Sequence, residues 1–316
     1  MPRSIPFRAR DRVARWIRRD LARHPPRAKS LVVTVLGDAI APHGGAVWLG
    51  SLIRLLAPFG LSERLVRTSV YRLTREGWLA ARQDGRRSLY RLTETGRQRF
   101  EHAYRRIYAP PAQDWDGAWE IVLAPAAELT LGQRRELKRE LGWEGFGPIS
   151  AGMFVRPARN HAGADLRGVL AGLGLEDRVV VLQGRDAPEV GAASLRAYAK
   201  GCWDLDRIAL EYRAFLSRFA GVIAHFQNAR GADPEQSFVV RSLLIHAFRR
   251  VILHDPQLPT ELSPPRWPAP KAYALCSDFY RLTQKAAEHH LLATLESGGG
   301  ALPRAAEYFY ERFGGL

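Results

Sequence analysis

Cysteine and long apolar runs are scarce in this sequence. The 316 residues include two cysteines, Cys202 and Cys276, which are too few for a disulfide framework or a four-cysteine zinc site. No run approaches about 18 consecutive apolar residues, and the first residues lack the apolar core of a secretory signal. We therefore expect no membrane span and no export, and a fold with an ordinary hydrophobic core in a reducing compartment.

Catalytic signatures are also missing. Residues 111–190 carry no glycine-rich phosphate loop, and no pattern of Ser, Cys and His marks a nucleophile with its base. His289 and His290 are adjacent, so on a helix their side chains point about 100° apart and cannot easily share a metal ion. We therefore predict a protein that is not an enzyme, with no catalytic residue, no metal and no resident cofactor.

Acidic residues are few in the first third of the chain. Residues 1–110 contain 23 Lys and Arg but 8 Asp and Glu, so they hold the whole formal net charge of +15. Residues 111–316 are neutral in sum. A basic module joined to a neutral body predicts that one part meets a polyanion and the other part does something else.

The order of elements in residues 29–110 predicts a winged helix-turn-helix. Three helices are expected over 29–41, 49–58 and 62–77, the last with Ser62 as its N-cap. Two short strands, 78–83 and 88–93, flank Asp84-Gly85, a strong hairpin signal. The third helix would be the recognition helix, and the hairpin would be the wing.

The third predicted helix has an apolar and a polar face. Val66, Val70 and Leu73 share one side, while the opposite side and the hairpin carry groups suited to guanine edges and phosphates. The predicted DNA-binding residues are Arg64, Arg67, Thr68, Tyr71, Arg75, Arg82, Arg86 and Arg87. The alternative is a small module for protein contacts whose arginines only solvate its surface.

The chain as a whole is predicted to be an α+β multidomain protein with four segments. They are a basic N-terminal arm or helix (1–28), the winged-helix domain (29–110), an α+β ferredoxin-like domain (111–190) and a helical domain for effector binding or dimerisation (191–316). The arm either packs on the next domain or reaches nucleic acid. In the third segment we expect one strand over 149–155, with a turn or a short extra strand left open over 142–148.

Several stretches resemble the PaaX family of transcriptional repressors of phenylacetate degradation. Together they run through nearly the whole chain, and they are specific in combination rather than singly. They are LVRTSVYRLTREGWL (65–79), GRRSLYRLTETG (85–96), W-D-G-x-W (115–119), CWDLD (202–206) and HAFRRVILHDPQLP (246–259) followed by Trp267.

The resemblance implies a cytoplasmic bacterial homodimer that binds a palindromic double-stranded operator and controls an aromatic-acid catabolic operon. Phenylacetyl-CoA or a related aryl-CoA thioester would release it from DNA. It also implies a middle domain similar to Cas2-type nucleases, which place a metal-binding aspartate at the end of their first strand. Here that strand ends at Ala124-Pro125, so the key residue of a nuclease is missing.

An acyl-CoA effector would need cationic partners for its phosphates and aromatic surfaces for its adenine or aryl group. The predicted effector-binding residues are His246, Arg249, Arg250, Trp267 and Tyr273. The alternative is structural, with Arg249 and Arg250 pairing with the loop acids Asp255 and Glu261. Two alternatives for the whole protein also stay open, namely a metal-dependent nuclease with a winged-helix targeting module and a DNA-binding protein without an effector.

Overall fold

The computed structural model describes residues 7–110, 115–125, 127–158, 163–187, 189, 191, 193–227 and 233–316. The chain divides into two compact units. The first unit consists of residues 1–110, 213–249 and 271–316, and the second of residues 111–212 and 250–270. Both helices and strands contribute, so the protein is a mixed α+β protein with more than one domain, as predicted.

The N-terminal part of the first unit begins with helices. They are α1 (Phe7–Arg23), α2 (Ala28–Val35), α3 (Leu49–Leu56), α4 (Glu63–Arg75) and α5 (Glu94–Tyr108). A π-turn and a 3-10 turn extend α2 through His43, and Gly44 ends this segment with a φ of +84°. The α1 helix packs within the same unit, because Trp16 contacts Phe219 with ring centroids 5.6 Å apart.

The first unit also contains a three-stranded sheet. Its strands are β1 (Ala46–Trp48), β2 (Leu79–Asp84) and β3 (Arg87–Leu92), in the spatial order β1-β3-β2. The hairpin was predicted, but its turn consists of Gly85 and Arg86, since Asp84 pairs with Arg87. The strand β1 was not predicted, because three residues are too few to show an alternating pattern.

The second unit contains a four-stranded antiparallel sheet. Its strands are β4 (Trp119–Leu123), β5 (Gly147–Ser150), β6 (Met153–Pro157) and β7 (Val180–Gly184), in the order β5-β6-β4-β7. The helices α6 (Leu131–Trp143) and α7 (Gly163–Leu173) connect them, and Leu137, Leu141, Leu166 and Leu170 pack on one face of the sheet.

The single strand predicted over 149–155 is wrong, because the chain turns back at Ala151-Gly152. Gly152 takes a φ of +81°, and a Cβ at this position would lie 2.3 Å from the carbonyl oxygen of Ala124. The residue must therefore be glycine, and two short strands replace one longer strand.

The remaining elements lie in the C-terminal part of the chain. They are α8 (Leu195–Ala199), α9 (Leu205–Gln227), α10 (Pro234–Ile252), α11 (Ala269–Thr294), β8 (Glu296–Ser297), β9 (Gly300–Ala301) and α12 (Glu307–Tyr310). Residues 213–249 and 271–316 group with the N-terminal unit, whereas the sequence predicted a separate helical domain over 191–316. The reason is packing, since Phe238 on α10 lies against Phe59 with ring centroids 6.1 Å apart and the hydroxyl of Tyr280 on α11 donates to Asp38 Oδ1 at 2.9 Å. Among the described residues, no helix is both long and apolar enough to cross a membrane.

Candidate nucleic-acid interface

The helix α4 is fixed by its apolar face and its N-cap. Val66, Val70 and Leu73 are fully buried, as the helical spacing predicts. The side chain of Ser62 accepts a hydrogen bond from the backbone N–H of Leu65, which confirms the predicted cap. Gly77, with a φ of +74°, follows the C-terminus.

The opposite face of α4 points to solvent. Arg64, Arg67, Thr68, Tyr71 and Arg75 are all exposed, and Tyr71 keeps 60% of its accessible surface. Arg67 donates to the carboxylate of Glu63 one turn earlier, with a distance of 2.7 Å from Nε to Oε1. Such an exposed i,i+4 pair contributes only about 0.3–0.5 kcal/mol, so it does not prevent Arg67 from meeting a phosphate.

The hairpin of β2 and β3 adds a second exposed basic surface. Arg82, Arg86 and Arg87 are all exposed, and Gly85 takes a φ of +55° in the turn. The structure therefore places all eight predicted DNA-binding residues on the surface of one unit, on one helix and one hairpin. Their contact with nucleic acid stays a prediction.

Arg87 differs from the other two hairpin arginines. Its guanidinium lies 4.2 Å from the ring centroid of Trp48, and its Nη2 donates to Glu296 Oε2 at 2.6 Å. Glu296 also lies 3.8 Å from Arg54 Nη2. Trp48 Nε1 donates to the carbonyl of Ser297, which ties β8 to the sheet of β1, β2 and β3.

These contacts identify residues that the sequence reasoning missed. Glu296 and Arg87 are 209 positions apart, and neither β1 nor β8 is long enough to show a pattern. No local signal could have placed an acid beside the basic hairpin. The carboxylate of Glu296 competes with any phosphate for Arg54 and Arg87.

The predicted effector-binding residues lie in different surroundings, and their contact with a ligand stays a prediction. His246 is buried, and its Nδ1 lies 2.8 Å from Thr34 Oγ1. Arg249 borders a cavity of about 30 Å³ in the first unit, which is far below the size of a cofactor site. Tyr273 donates to the carbonyl of Tyr108 at 3.1 Å, and burial raises its pKa to about 12.

The other two predicted effector residues belong to the second unit. Arg250 is exposed, and Trp267 packs edge-on against Tyr212 with ring centroids 6.1 Å apart. The carboxylate of Asp255 accepts hydrogen bonds from the hydroxyl of Tyr212 at 2.7 Å and the backbone N–H of Gln257 at 2.7 Å. The loop after α10 is thus held partly by a tyrosine and by its own backbone.

A cleft of ligand size lies elsewhere in the second unit. It has a volume of about 560 Å³, and its border includes the buried Trp119, the half-buried Trp203, Leu258 and Leu262. Arg196 and Lys200 supply positive charge at its wall, and acidic groups are present as well. The sequence reasoning did not find this cleft, because its lining comes from strand β4, helix α8 and the proline-rich loop.

The first strand of the four-stranded sheet carries a carboxylate that is already paired. Glu120 and Arg156 are both buried, with 2.6 Å between Glu120 Oε2 and Arg156 Nε. Arg156 Nη1 also donates to the carbonyl of Glu144 at 2.8 Å. Within the described ranges, no three or more His, Cys, Asp and Glu side chains come together in a way that could hold a metal ion.

A buried charge cluster lies in the first unit, and no sequence pattern indicates it. Asp38 Oδ1 accepts hydrogen bonds from the hydroxyls of Tyr108 and Tyr280, and it lies 3.2 Å from Arg312 Nη1. Arg241 lies 3.9 Å from Asp38 Oδ2 and 3.2 Å from Glu288 Oε1. We call Asp38, Arg241, Glu288 and Arg312, with these two tyrosines, the buried charge cluster.

Ionisation in this cluster follows from its surroundings. Burial raises the pKa of both Tyr108 and Tyr280, and the nearby Asp38 charge acts in the same direction, so both hydroxyls stay protonated donors. Burial alone would raise the pKa of Glu288, but a contact with His43 at 3.1 Å and the charge of Arg241 lower it below its usual value. Glu288 is therefore a carboxylate at neutral pH, and the cluster joins chain segments that are distant in sequence.

Three family models match this chain. They are described as "PaaX-like protein" over residues 27–96, "PaaX protein central Cas2-like domain" over residues 112–196 and "PaaX-like protein C-terminal domain" over residues 203–293. Together they cover most of the sequence, and the β5-β6-β4-β7 sheet falls within the Cas2-like match.

Individual proteins are similar as well. The "Transcriptional repressor PaaX" of Escherichia coli (strain K12) is 34% identical over 293 residues, which is 92% of this chain and 92% of that protein. Among solved structures, the "Uncharacterized protein Rv0674 from Mycobacterium tuberculosis" matches with a TM-score of 0.47 and 24% identity, over 77% of this chain and 91% of that one. The resemblance predicted from the sequence motifs is thus confirmed, and this chain belongs to the PaaX family.

Proposed function

We propose that this protein is a DNA-binding transcriptional repressor and not an enzyme. The observation that carries the proposal is that α4 and the β2–β3 hairpin expose all eight predicted DNA-binding side chains, in the part of the chain that holds the whole net charge. The similarity to a transcriptional repressor over 92% of the chain supports the same function. A polyanion bound here would contact eight polar or cationic side chains of the protein and few acidic ones.

The local architecture fits a winged helix-turn-helix in the first unit. Helices α2, α3 and α4 precede the β2–β3 hairpin, and β1 completes the small sheet beside it. In the second unit, the chain order β-α-β-β-α-β and the spatial order β5-β6-β4-β7 fit a ferredoxin-like fold. The four-stranded sheet of the second unit lies within the residues that match the Cas2-like family model.

In this proposal α4 enters the major groove of an operator. Arg64, Arg67 and Arg75 would meet guanine edges or phosphates, and Thr68 and Tyr71 would meet phosphates or a thymine methyl group. Arg82, Arg86 and Arg87 on the hairpin would follow the adjacent backbone. A homodimer would place two α4 helices about 34–36 Å apart, or a multiple of that, on a palindromic site.

The regulatory part of the proposal is release by an aryl-CoA thioester such as phenylacetyl-CoA, in a bacterial cytoplasm, on an operon for aromatic-acid catabolism. It rests on the family and on the cleft beside Trp119 and Trp203, whose volume of about 560 Å³ is within the range of ligand sites. The half-buried indole of Trp203 suits an aryl or adenine ring, and Arg196 and Lys200 suit phosphate. Release requires that the ligand bind better to a conformation that holds DNA poorly.

The DNA-binding proposal is tested by selecting bound fragments from the promoter region of the protein's own operon and measuring their affinity. Arg64→Ala and Arg75→Ala should each weaken binding by roughly 1–3 kcal/mol, which is about 5- to 150-fold. Arg86→Ala should lower the slope of log K against log salt by about one. Arg135→Ala, an exposed arginine of α6, is the control. Equal affinities for Arg64→Ala, Arg75→Ala and the control Arg135→Ala would contradict the assignment of this face to DNA binding.

The effector proposal is tested by titrating phenylacetyl-CoA, coenzyme A and phenylacetate into the protein–operator complex. The thioester alone should release DNA at low concentration. The double variant Arg196→Ala/Lys200→Ala should need more of it, while the exposed control Lys285→Ala should not. Release by no ligand favours an effector-independent DNA binder, and cleavage of DNA in the presence of divalent ions would favour the nuclease.

A further inference from the structure

The helix α1 carries a third of the net charge of the chain. Its 17 residues include seven arginines and two aspartates, so they contribute +5 of the +15. The first family match begins at residue 27, so α1 lies outside the residues that match the family models. A role for this charge therefore has to come from the contacts of the helix itself.

One face of α1 is closed by packing. Val13 is buried, and the indole of Trp16 lies against Phe219 of α9. The carboxylate of the buried Asp20 accepts two hydrogen bonds from the guanidinium of Arg218, each 2.7 Å long. This bidentate pair fixes the rotation of α1 about its own axis, and it withdraws an acid from the outer face of the helix.

The opposite face of α1 is basic. Arg12, Arg19 and Arg23 are exposed, and their positions i, i+7 and i+11 fall within about 40° of one another around the helix axis. At a rise of 1.5 Å per residue, this row is about 16 Å long. The same length of a DNA duplex carries about five phosphates on each strand. The row thus matches a run of phosphates rather than one small anion.

The end of α1 is tied to the end of α4. Residues 24–27 connect α1 to α2, and Lys29 in the first turn of α2 contacts the carboxylate of Glu76 at 2.5 Å. Glu76 is the residue that follows α4. The six residues from Arg23 to Lys29 span at most about 22 Å, which is less than one DNA turn of about 34 Å. The basic row therefore begins close enough to α4 to reach the same duplex.

The packing of α1 also distinguishes DNA from an anionic membrane as the partner. A basic amphipathic helix that lies on a membrane buries a free apolar face among the lipids. In α1 that face is occupied, because Val13 and Trp16 pack within the first unit. The exposed positions among residues 12–23 are five arginines and Ala22. This surface offers charge without large apolar groups, as a contact with the phosphates of a duplex requires.

We propose that the outer face of α1 binds the phosphate backbone of the DNA that flanks the α4 contact. Such a contact carries no sequence information, because phosphates are the same at every base pair. It therefore adds affinity for every duplex and lengthens the site without changing which operator is selected. This surface rests on the proposed function for its biological purpose, but it needs only a duplex in order to bind.

The salt dependence of DNA binding by the full chain tests this contact. The triple variant Arg12→Gln/Arg19→Gln/Arg23→Gln should bind a random duplex of about 40 base pairs at least tenfold more weakly than the wild type at low salt. Its slope of log K against log salt should be lower by about two to three, since three phosphate contacts are lost.

The matched control removes three exposed cations from one helix of the second unit. It is the α6 variant Arg134→Gln/Arg135→Gln/Lys138→Gln. A slope that falls no more in the α1 triple variant than in this control would overturn the proposal.

A gain of charge tests the same face without removing any contact. Ala22 is exposed and lies between Arg18 and Arg19 around the helix axis, so Ala22→Arg adds one more cation to the outer face. The variant should bind random DNA several-fold more tightly, with a slope steeper by up to about one. Ala171→Arg, at an exposed position of α7, is its control. A slope no steeper for Ala22→Arg than for Ala171→Arg contradicts the assignment of this face, even if the triple variant is unstable.

Trimming the DNA tests where the contact lies. Removal of the base pairs that flank the α4 contact should weaken binding by the wild type and have much less effect on the α1 triple variant. Equal losses for the two proteins would show that α1 does not contact the flank. Vesicles of phosphatidylglycerol should bind both proteins equally weakly. Vesicle binding that the triple variant loses, with an unchanged DNA slope, would assign this face to a membrane instead.

Comparison with Arg64→Ala separates this surface from the proposed function. Arg64→Ala should reduce the preference for operator over random DNA, whereas the α1 triple variant should weaken both affinities by the same factor and keep the preference. If no operator is preferred but the triple variant still lowers the slope, the α1 surface stands and the repressor function fails. If an operator is preferred and the triple variant behaves like its control, the α1 surface is wrong and the function stands.

Discussion

The arginines on the outer face of α4 and the arginines of the buried charge cluster lie in the same unit but in opposite surroundings. Arg64 and Arg75 are exposed, whereas Arg241 and Arg312 are fully closed from solvent. An exposed arginine keeps its hydration until a polyanion replaces water, so its charge acts on a partner. A buried arginine has lost its hydration, so its charge acts on its own fold.

The aromatic surroundings strengthen this difference. The Arg312 guanidinium lies 4.2 Å from the ring centroid of Tyr108 and 4.6 Å from that of Phe309. It also donates to the backbone carbonyl of Asp38 at 3.0 Å. The cluster therefore fastens the C-terminal segment to the helices that precede and follow the small sheet, and it holds the scaffold on which α4 is presented.

The largest expected effect is the loss of a buried cation. Arg312→Ala leaves Asp38 without its nearest positive charge and should lower the free energy of unfolding by about 3–5 kcal/mol. Urea denaturation followed by circular dichroism measures it. Arg304→Ala, an exposed arginine in the same C-terminal segment, should change stability by less than about 0.5 kcal/mol. Equal effects of the two substitutions would show that burial does not separate these arginines.

The outer face of α4 and the buried charge cluster also differ in how far the sequence predicts them. The outer face of α4 was predictable because its residues lie within 13 positions and follow one helical period. Asp38, Arg241, Glu288 and Arg312 are spread over 274 positions and share no period, so only the folded chain brings them together. The same reason hid β1, β8 and the carboxylate of Glu296 beside the basic hairpin.

The effector residues show a different limit of sequence reasoning. His246, Arg249 and Arg250 are close in sequence and were predicted to form one polar site, but they differ in exposure to solvent. His246 is closed from solvent beside Thr34, while Arg250 is exposed. Spacing on a helix fixes which residues are neighbours, whereas tertiary packing decides which of them can reach a ligand.

A smaller effect is expected for Glu288, one of the two acids of the cluster. The pKa of Glu288 is lower in the folded protein than in the unfolded chain. Its carboxylate therefore stabilises the fold when the pH is above the pKa that the residue has in the unfolded chain. This contribution is lost as pH falls through the folded-state pKa. Glu288→Gln should cost about 1.5–3 kcal/mol at pH 7, and its stability should fall less steeply in acid than that of the wild type.

The measurement for Glu288 is urea denaturation from pH 7 to pH 3. Asp278→Asn, at an exposed position of the same helix α11, is the control and should follow the wild-type curve closely. Parallel curves for Glu288→Gln and the wild type would show that protonation of Glu288 does not change the free energy of unfolding. Glu288 would then not be an ionic member of the cluster.

The smallest effect is expected where the two kinds of surroundings meet, at Glu296. This half-exposed carboxylate pairs with Arg87 at 2.6 Å and lies near Arg54, so it holds two surface cations in contacts within the chain. Glu296→Gln should free them for phosphate and raise affinity for nonspecific DNA about two- to fivefold, since exposed pairs are worth about 0.2–1 kcal/mol. The salt dependence of DNA binding by Glu296→Gln should become steeper, by up to about one phosphate contact.

Glu307→Gln is the control, because it makes the same charge change at another exposed C-terminal position, and it should have less effect. An unchanged affinity for Glu296→Gln would mean that the Trp48 ring alone holds Arg87, and that this arginine belongs with the structural cations rather than with those that bind DNA.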